Sequence, residues 1–297
     1  METVNSKEYV PSQEALELLK LLRPMDDDFM RVLFRNNLPL AQMVLVILTG
    51  IEDLVLIREE TQYDLKRLVD SRSICLDVFG TDSKGTQYDL EIQRSDRGAA
   101  PRRARYHSSA MDVEFMNAGQ DFEELPETYV IFITENDIFK KGLPVYRIER
   151  INTATDKPFS DGEHILFVNG AYEGDDPIGR LMHDFRCSDA DEMYYDLMAD
   201  KTKFLKENSK GVSDVCKLIE DKMEEIRVET EKRVKAETEK RVKAETEKKV
   251  KSETAEQTIL KLLQYGVINA VGIADIAGTS VDLVYKLARE NHMTVPC

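Results

Sequence analysis

Two short runs of alternating residues carry the side chains best suited to chemistry. In the first, Ile74, Leu76 and Val78 alternate with Cys75, Asp77 and Phe79; in the second, Tyr88, Leu90 and Ile92 alternate with Asp89, Glu91 and Gln93. Successive side chains of a strand point to opposite faces, so Asp89, Glu91 and Gln93 share one face while Leu90 and Ile92 point into apolar surroundings. The segment TDSKG between the runs offers turn residues ending in glycine, which predicts an antiparallel hairpin. If Asp77 faces the same side, its carboxylate meets that of Glu91 across the pair. Two carboxylates held that close repel each other unless a cation lies between them, and such oxygen ligands suit Mg²⁺ or Mn²⁺. The following stretch RSDRGAAPRRARYH holds five arginines, Arg94, Arg97, Arg102, Arg103 and Arg105, against one acid, Asp96. A metal beside a basic helix is what a phosphodiester needs. The plainer alternative is that the acids form the wet face of a hairpin and the arginines are merely solvated.

The elements that would position these residues are legible in outline. Apolar residues at three- and four-residue spacing over residues 13–22, 29–33 and 41–48 predict helices broken near Pro24 and Pro39. A helix follows the hairpin over residues 101 to about 119, and YVIFIT, residues 129–134, reads as a very apolar strand suited to the middle of a sheet. Further strands are expected over 145–151 and 164–169, and helical periodicity returns over 179–217. This order predicts an α/β domain with a mixed sheet flanked by helices, occupying residues 1–222.

Over residues 223–254 the composition shifts to a repeat of eight, with RVKAETEK twice in succession. Glu229, Glu231, Glu237, Glu239, Glu245 and Glu247 each have a basic residue four positions later, and each pair adds about 0.2–0.5 kcal/mol to a solvated helix. A period of eight drifts by about 80° per repeat, so no coiled-coil seam persists. A rod-like spacer is the expectation, with disorder the rival. Residues 255–297 read as a small helical module. Its turn at Gly278 and an N-cap at Ser280 are compatible with a helix-turn-helix. Only Lys286 and Arg289 would bring positive charge to the second helix, which favours a packing module over DNA recognition.

Composition bounds the rest. The chain has 297 residues, 42% hydrophobic and 33% charged, which excludes collagen-like and wholly disordered classes. The longest apolar run, residues 40–48, is about half of what a membrane helix needs. Glu2 and Glu8 stand where a secretory signal would be basic, so a cytoplasmic location is expected. Four scattered cysteines lack metal-site spacing and read as reduced packing residues. The net charge of −15 argues against nucleic acid as an average, but the arginine cluster forms a local positive face.

Several segments together resemble a known family: MDDDFMR from Met25, Thr61-Gln62, RSICLD ending at Asp77, YDLEIQR from Tyr88 to Arg94, RARYH from Arg103, and downstream LPETYVIFITEND, GLPVYRIER, HILFVNGAY and GRLMHDF. From about residue 20 to about residue 220 the chain resembles the PD-(D/E)XK nuclease family transposases, relatives of recombination-promoting nucleases. The resemblance implies a restriction-endonuclease-like fold and metal-dependent hydrolysis of DNA leaving a 5′-phosphate and a 3′-hydroxyl. It implies that Asp77 and Glu91 are metal ligands, with the backbone carbonyl of Ile92 as a third. In the family an acid of the first helix sometimes joins them, and the run Asp26, Asp27 and Asp28 supplies the candidates, with Asp27 foremost. Gln93 falls where the wider superfamily has lysine, and a glutamine offers only neutral hydrogen bonds. The expectation is a slower enzyme, or one whose missing charge comes from a neighbouring arginine.

On this reading Asp77, Glu91 and Gln93 are catalytic, with Mg²⁺ as cofactor and Mn²⁺ as a substitute. Arg94, Arg97, Arg102, Arg103 and Arg105 hold phosphates. Tyr106 and His107 could line the groove, though for His107 packing is favoured. DNA is the expected partner, with no membrane and no nucleotide cofactor. A homodimer is attractive because cutting both strands usually calls for two sites. The alternative is a catalytically inactive relative that binds DNA or protein through the basic helix and the C-terminal helices.

Overall fold

The computed structural model describes residues 9–65, 74–94 and 98–296. Glu2, Glu8, Arg72, Ser73, Asp96, Arg97 and Cys297 lie outside them. The chain divides into two compact units, Met1–Lys222 and Met223–Cys297.

The first unit opens with α1 (Gln13–Leu21), α2 (Asp27–Phe34) and α3 (Leu38–Thr49). Pro39 does not break α3 but sits in its first turn, where the missing N–H has no intrahelical partner to lose. Gly50 ends the helix at φ 76°. Next come β1 (Leu56–Asp64), β2 (Cys75–Asp82), β3 (Gln87–Gln93) and α4 (Pro101–Phe115). β4 (Thr128–Thr134), β5 (Val145–Ile148), β6 (Ile151–Asn152), β7 (Lys157–Pro158) and β8 (Glu163–Asn169) follow. Then α5 (Pro177–Arg186), α6 (Asp196–Glu207) and the start of α7 (Ser209–Tyr265) complete the unit.

Six strands form one mixed sheet in the order β1-β2-β3-β4-β8-β5, flanked by helices. The fold is α/β and restriction-endonuclease-like. The hairpin of β2 and β3 is antiparallel, as the alternation predicts, and Asp82 ties its turn by accepting from the backbone N–H groups of Lys84 and Thr86. Gly85 stands in that turn at φ 90°, a conformation that favours glycine. β4 lies between β3 and β8 and is parallel to both, which explains why its residues are apolar on both faces.

Three details differ from the sequence reading. β1 has no apolar alternation to announce it, because only Leu56 is buried in a mostly polar strand at the sheet edge, and Ile57 beside it is exposed. The strand expected over 145–151 splits, since Ile151–Asn152 pairs with Lys157–Pro158 in a separate small ribbon. α4 stops at Phe115 rather than near residue 119. There the backbone N–H of Asn117 donates to the Gln120 side chain, and Gly119 turns the chain at φ 89°.

The core that fixes the site lies between α4 and the sheet. Ala104 and Met111 of α4 pack with Leu76, Phe79, Val130, Phe132, Ile165 and Phe167. The buried α4 positions Ala104, His107, Ser108 and Met111 recur at three- and four-residue spacing, so one helix stripe faces the strands. On the other face, Ala41 and Leu45 of α3 approach Leu56, Val78 and Leu90. Among the described residues no single helix is long and apolar enough to cross a membrane.

In the second unit α7 runs as a solvated helix whose residues are exposed over most of 223–254. Its ion pairs among the described residues include Glu224 with Arg227, acid first, and Arg227 with Glu231 and Arg241 with Glu245, basic residue first. Ile259 and Leu263 near its end pack with Ile273 of α8 (Ala270–Ala277) and with Val284 and Leu287 of α9 (Val281–Glu290). Gly278 at φ 62° and the Ser280 N-cap make the expected turn between α8 and α9.

Candidate metal centre

The site forms where β2 and β3 part. Their ladder pairs Val78 with Leu90 and Phe79 with Asp89, which sets Asp77 opposite Glu91. At that point side chains replace the ladder. The Asp77 N–H donates to Glu91 Oε1 at 3.1 Å, and the Ile92 N–H donates to Asp77 Oδ2 at 3.2 Å. This reciprocal exchange satisfies two backbone donors that the parting strands would leave unpaired, and it locks the two carboxylates side by side.

Asp89 and Glu91 are not the wet face of the hairpin: both are 0% exposed, beneath α4. Burial raises the carboxyl pKa values throughout. Burial, then the charges of Asp89 and Asp77, push Glu91 up to about 9, against the lowering influence of His107 and Arg103. Asp89 is driven well above the usual carboxylate range by burial and by Asp77. Asp77, half-buried, is raised by burial and by the charge of Asp27, against the Ile92 N–H, Gln62 and Arg103. Three crowded carboxylates each favouring a proton are what a cation would relieve.

Of the three acids at the start of α2, Asp26 is held by Arg23 at 3.1 Å and by Arg94 at 3.1 Å, and Asp28 lies 3.9 Å from Arg31. Asp27 is the one whose charge acts on Asp77. The arginines divide into three roles. Arg94 is spent on Asp26 and on Glu135, 3.8 Å away. Arg103 points into the site, where Nη2 donates to Glu91 Oε2 at 2.7 Å and Nη1 donates to Gln93 Oε1 at 3.0 Å and to the Gly98 carbonyl at 2.9 Å. Arg102 and Arg105 are exposed on α4. Gln93 also donates to Glu91 Oε2 at 3.3 Å, so it bridges the acid and the guanidinium.

Two partners were not legible as such in the sequence. Gln62, in β1 at φ 56°, donates to Asp77 Oδ1 at 3.3 Å and steadies that carboxylate from the neighbouring strand. Only its place beside Thr61 in the family-like segments pointed to it. His107 is buried with its ring 5.7 Å from Phe132, as the packing reading expects, yet Nδ1 lies 2.8 Å from Asp89 Oδ2 and Nε2 accepts from Arg103 Nε at 3.2 Å. The alternation had put Asp89 on the site face without giving it work.

The donor set suits a hard divalent cation. Asp77, Glu91 and the nearby Asp27 offer oxygens, and Asp89 Oδ1 is buried with no hydrogen-bond partner among the described residues. Among the described residues the group whose ligand atoms all lie within 4.8 Å of one another is Asp89, Glu91 and His107; it shares Glu91 with the ligands expected from the sequence but includes neither Asp77 nor Asp27.

A family model described as PD-(D/E)XK nuclease family transposase matches residues 44–258. Comparison with curated proteins and with solved structures gives no match. The matched span covers well over half of the chain and includes Asp77, Glu91, Gln93 and the α4 arginines, within a mixed six-stranded sheet whose acids meet at a parting hairpin. The chain therefore belongs to the PD-(D/E)XK nuclease family transposases.

Proposed function

We propose that this nuclease-family protein is a divalent-metal-dependent DNA endonuclease acting in a mobile-element or recombination setting. The observation that carries the reading is the pairing of Asp77 and Glu91 through reciprocal backbone bonds, with the charge of Asp27 acting on the same place. Asp77 and Glu91 would hold Mg²⁺, or Mn²⁺ in its place, with Asp27 and the Ile92 carbonyl completing the oxygen set. When bound, such an ion lowers the pKa of a coordinated water and neutralises the scissile phosphate.

The chain's own residues supply the rest. Gln62 and the Ile92 N–H hold Asp77 in place, and the Asp77 N–H holds Glu91. Gln93 orients Glu91 and receives the Arg103 guanidinium, but as a neutral amide it cannot take a proton from water. Arg102 and Arg105 face solvent on α4 and engage phosphates of the DNA backbone, fixing register without reading sequence. Residues 223–254 act as a helical spacer and residues 255–297 as a packing module.

One observation favours the second reading, an inactive relative that binds DNA or protein. Glu91 Oε2 already carries a protein cation, Arg103, at 2.7 Å. A plasmid nicking and linearisation assay at low salt separates the two, with Mg²⁺, Mn²⁺ or EDTA, on wild type, Asp77→Ala and Glu91→Ala. The nuclease reading expects metal-dependent cutting that both variants lose. Folded wild-type protein that binds DNA and cuts under neither metal refutes it.

A further inference from the structure

The buried pair Asp89–His107 stands beside the ligands proposed from Asp77 and Glu91 and could join Glu91 in a ligand group, yet its hydrogen bonds lead away from that role, to Arg103. Asp89 is a wholly buried acid, which is expensive for a residue that only fills space. Its Oδ2 meets His107 Nδ1 at 2.8 Å, and the far nitrogen of that ring, Nε2, meets Arg103 Nε at 3.2 Å. An arginine Nε can only donate, so His107 Nε2 must be the bare nitrogen and Nδ1 must carry the hydrogen that goes to Asp89. The arginine donor therefore sets the ring's tautomer, and the bond from Nδ1 to Asp89 holds the ring in place for the guanidinium.

Helix geometry makes this possible. Arg103 and His107 are four residues apart, one turn of α4, so their side chains lie one above the other. Held at Nε by His107, the guanidinium turns its Nη edge to Glu91 and Gln93, and its central carbon lies 5.6 Å from the Phe132 ring centre. Each nitrogen of the fork has a set partner, in a side chain only about one-third exposed. A solvated groove contact would not be tied down at all three.

We propose that Asp89 and His107 are positioning residues that hold Arg103 as the cationic group acting on the reacting phosphate, making Arg103 part of the catalytic centre rather than of the general DNA-binding face. The inference rests on the nuclease reading of Asp77 and Glu91. Gln93 brings no charge to the phosphate, and a fixed guanidinium one bond from it supplies that charge where negative charge builds up in the transition state. Pre-orientation matters more than the charge alone, since a misplacement of about 1 Å costs about 10²-fold in rate.

Two measurements test it. ¹⁵N NMR of the wild-type full chain without metal should show His107 protonated at Nδ1 and bare at Nε2, with a slowly exchanging Arg103 Nε–H. A ring protonated at Nε2 overturns the proposal. Steady-state cleavage with Mn²⁺ should show kcat lower by about 10²-fold in His107→Phe, with KM for DNA and Mn²⁺ affinity unchanged. In His107→Gln, which keeps an acceptor for Arg103 and a donor for Asp89, part of the rate should return. Wild-type kcat in His107→Phe, an equal loss in both variants, or a rise in KM alone overturns the positioning role. If wild type cuts no DNA under any metal, the nuclease reading fails, and the NMR result by itself decides whether Asp89 and His107 hold Arg103.

Discussion

Replacing Glu91 by glutamine should remove a pH-dependent loss of stability from the metal-free protein. The Glu91 carboxyl is pushed up to about 9 from its ordinary 4.5, first by burial and then by Asp89 and Asp77. In the unfolded chain it titrates at the ordinary value, so between the two the folded protein keeps a proton that the unfolded chain has lost. A group raised in this way contributes stability that is complete below the unfolded pKa and is lost as pH climbs through the folded one. Within that window one retained proton corresponds to about 1.4 kcal/mol per pH unit, or about 3 kcal/mol from about pH 6 to about pH 8. Against a typical domain stability of about 5–15 kcal/mol that is a large change. Asp77 and Asp89 are raised too and steepen the wild-type slope in the same direction.

The glutamine amide retains an acceptor for the Asp77 N–H and carries no titrating proton, so the difference between the two proteins reports Glu91 together with its electrostatic influence on Asp77 and Asp89. Urea unfolding across this pH range in EDTA measures it: the wild-type midpoint should fall with pH more steeply than that of Glu91→Gln. A divalent ion must displace the same proton, so Mg²⁺ affinity should rise about tenfold per pH unit, and the stability gained from Mg²⁺ should grow with pH. Equal slopes for the two proteins, or metal affinity independent of pH, would refute the argument that these carboxylates are crowded and proton-bearing without metal.

Further expectations concern other parts of the molecule. Asp77→Ala should abolish metal-dependent cleavage while leaving a folded protein by circular dichroism; retained cutting would remove Asp77 from the ligand set. Arg102→Ala and Arg105→Ala should each weaken DNA binding alike for different sequences and reduce the slope of log affinity against log salt by about 1, read by fluorescence anisotropy. Phe132→Ala empties the centre of the sheet beneath His107 and should cost about 3–5 kcal/mol in urea unfolding. Gly170 follows β8 where an added Cβ would come within 2.9 Å of Met25 Cε and closer still to the Thr134 carbonyl, so Gly170→Ala should destabilise by about 1–3 kcal/mol.

The sequence alone determined the hairpin, the central strand and which acids share one face of the hairpin. Asp77 and Glu91 were legible because strand periodicity is local: a period of two assigns a face whatever packs above it. The solvated helix over the repeat was legible for the same reason, since its composition and i,i+4 pattern act within one element. The tertiary structure decided everything that depends on what covers a face. A polar face on a hairpin reads as wet until α4 is laid over it, and only then are Asp89 and Glu91 buried and their carboxyl pKa values raised. β1 stayed hidden because an edge strand with one buried residue has no pattern of its own, and with it went the role of Gln62 on Asp77. The division of labour among the arginines was likewise invisible. One turn of helix separates Arg103 from His107 in any α4, but whether that turn faces solvent or Glu91 is set by Ala104 and Met111 packing on the sheet. Residue type and spacing decide which groups can do chemistry, and long-range packing decides which are desolvated, paired and aimed at one another.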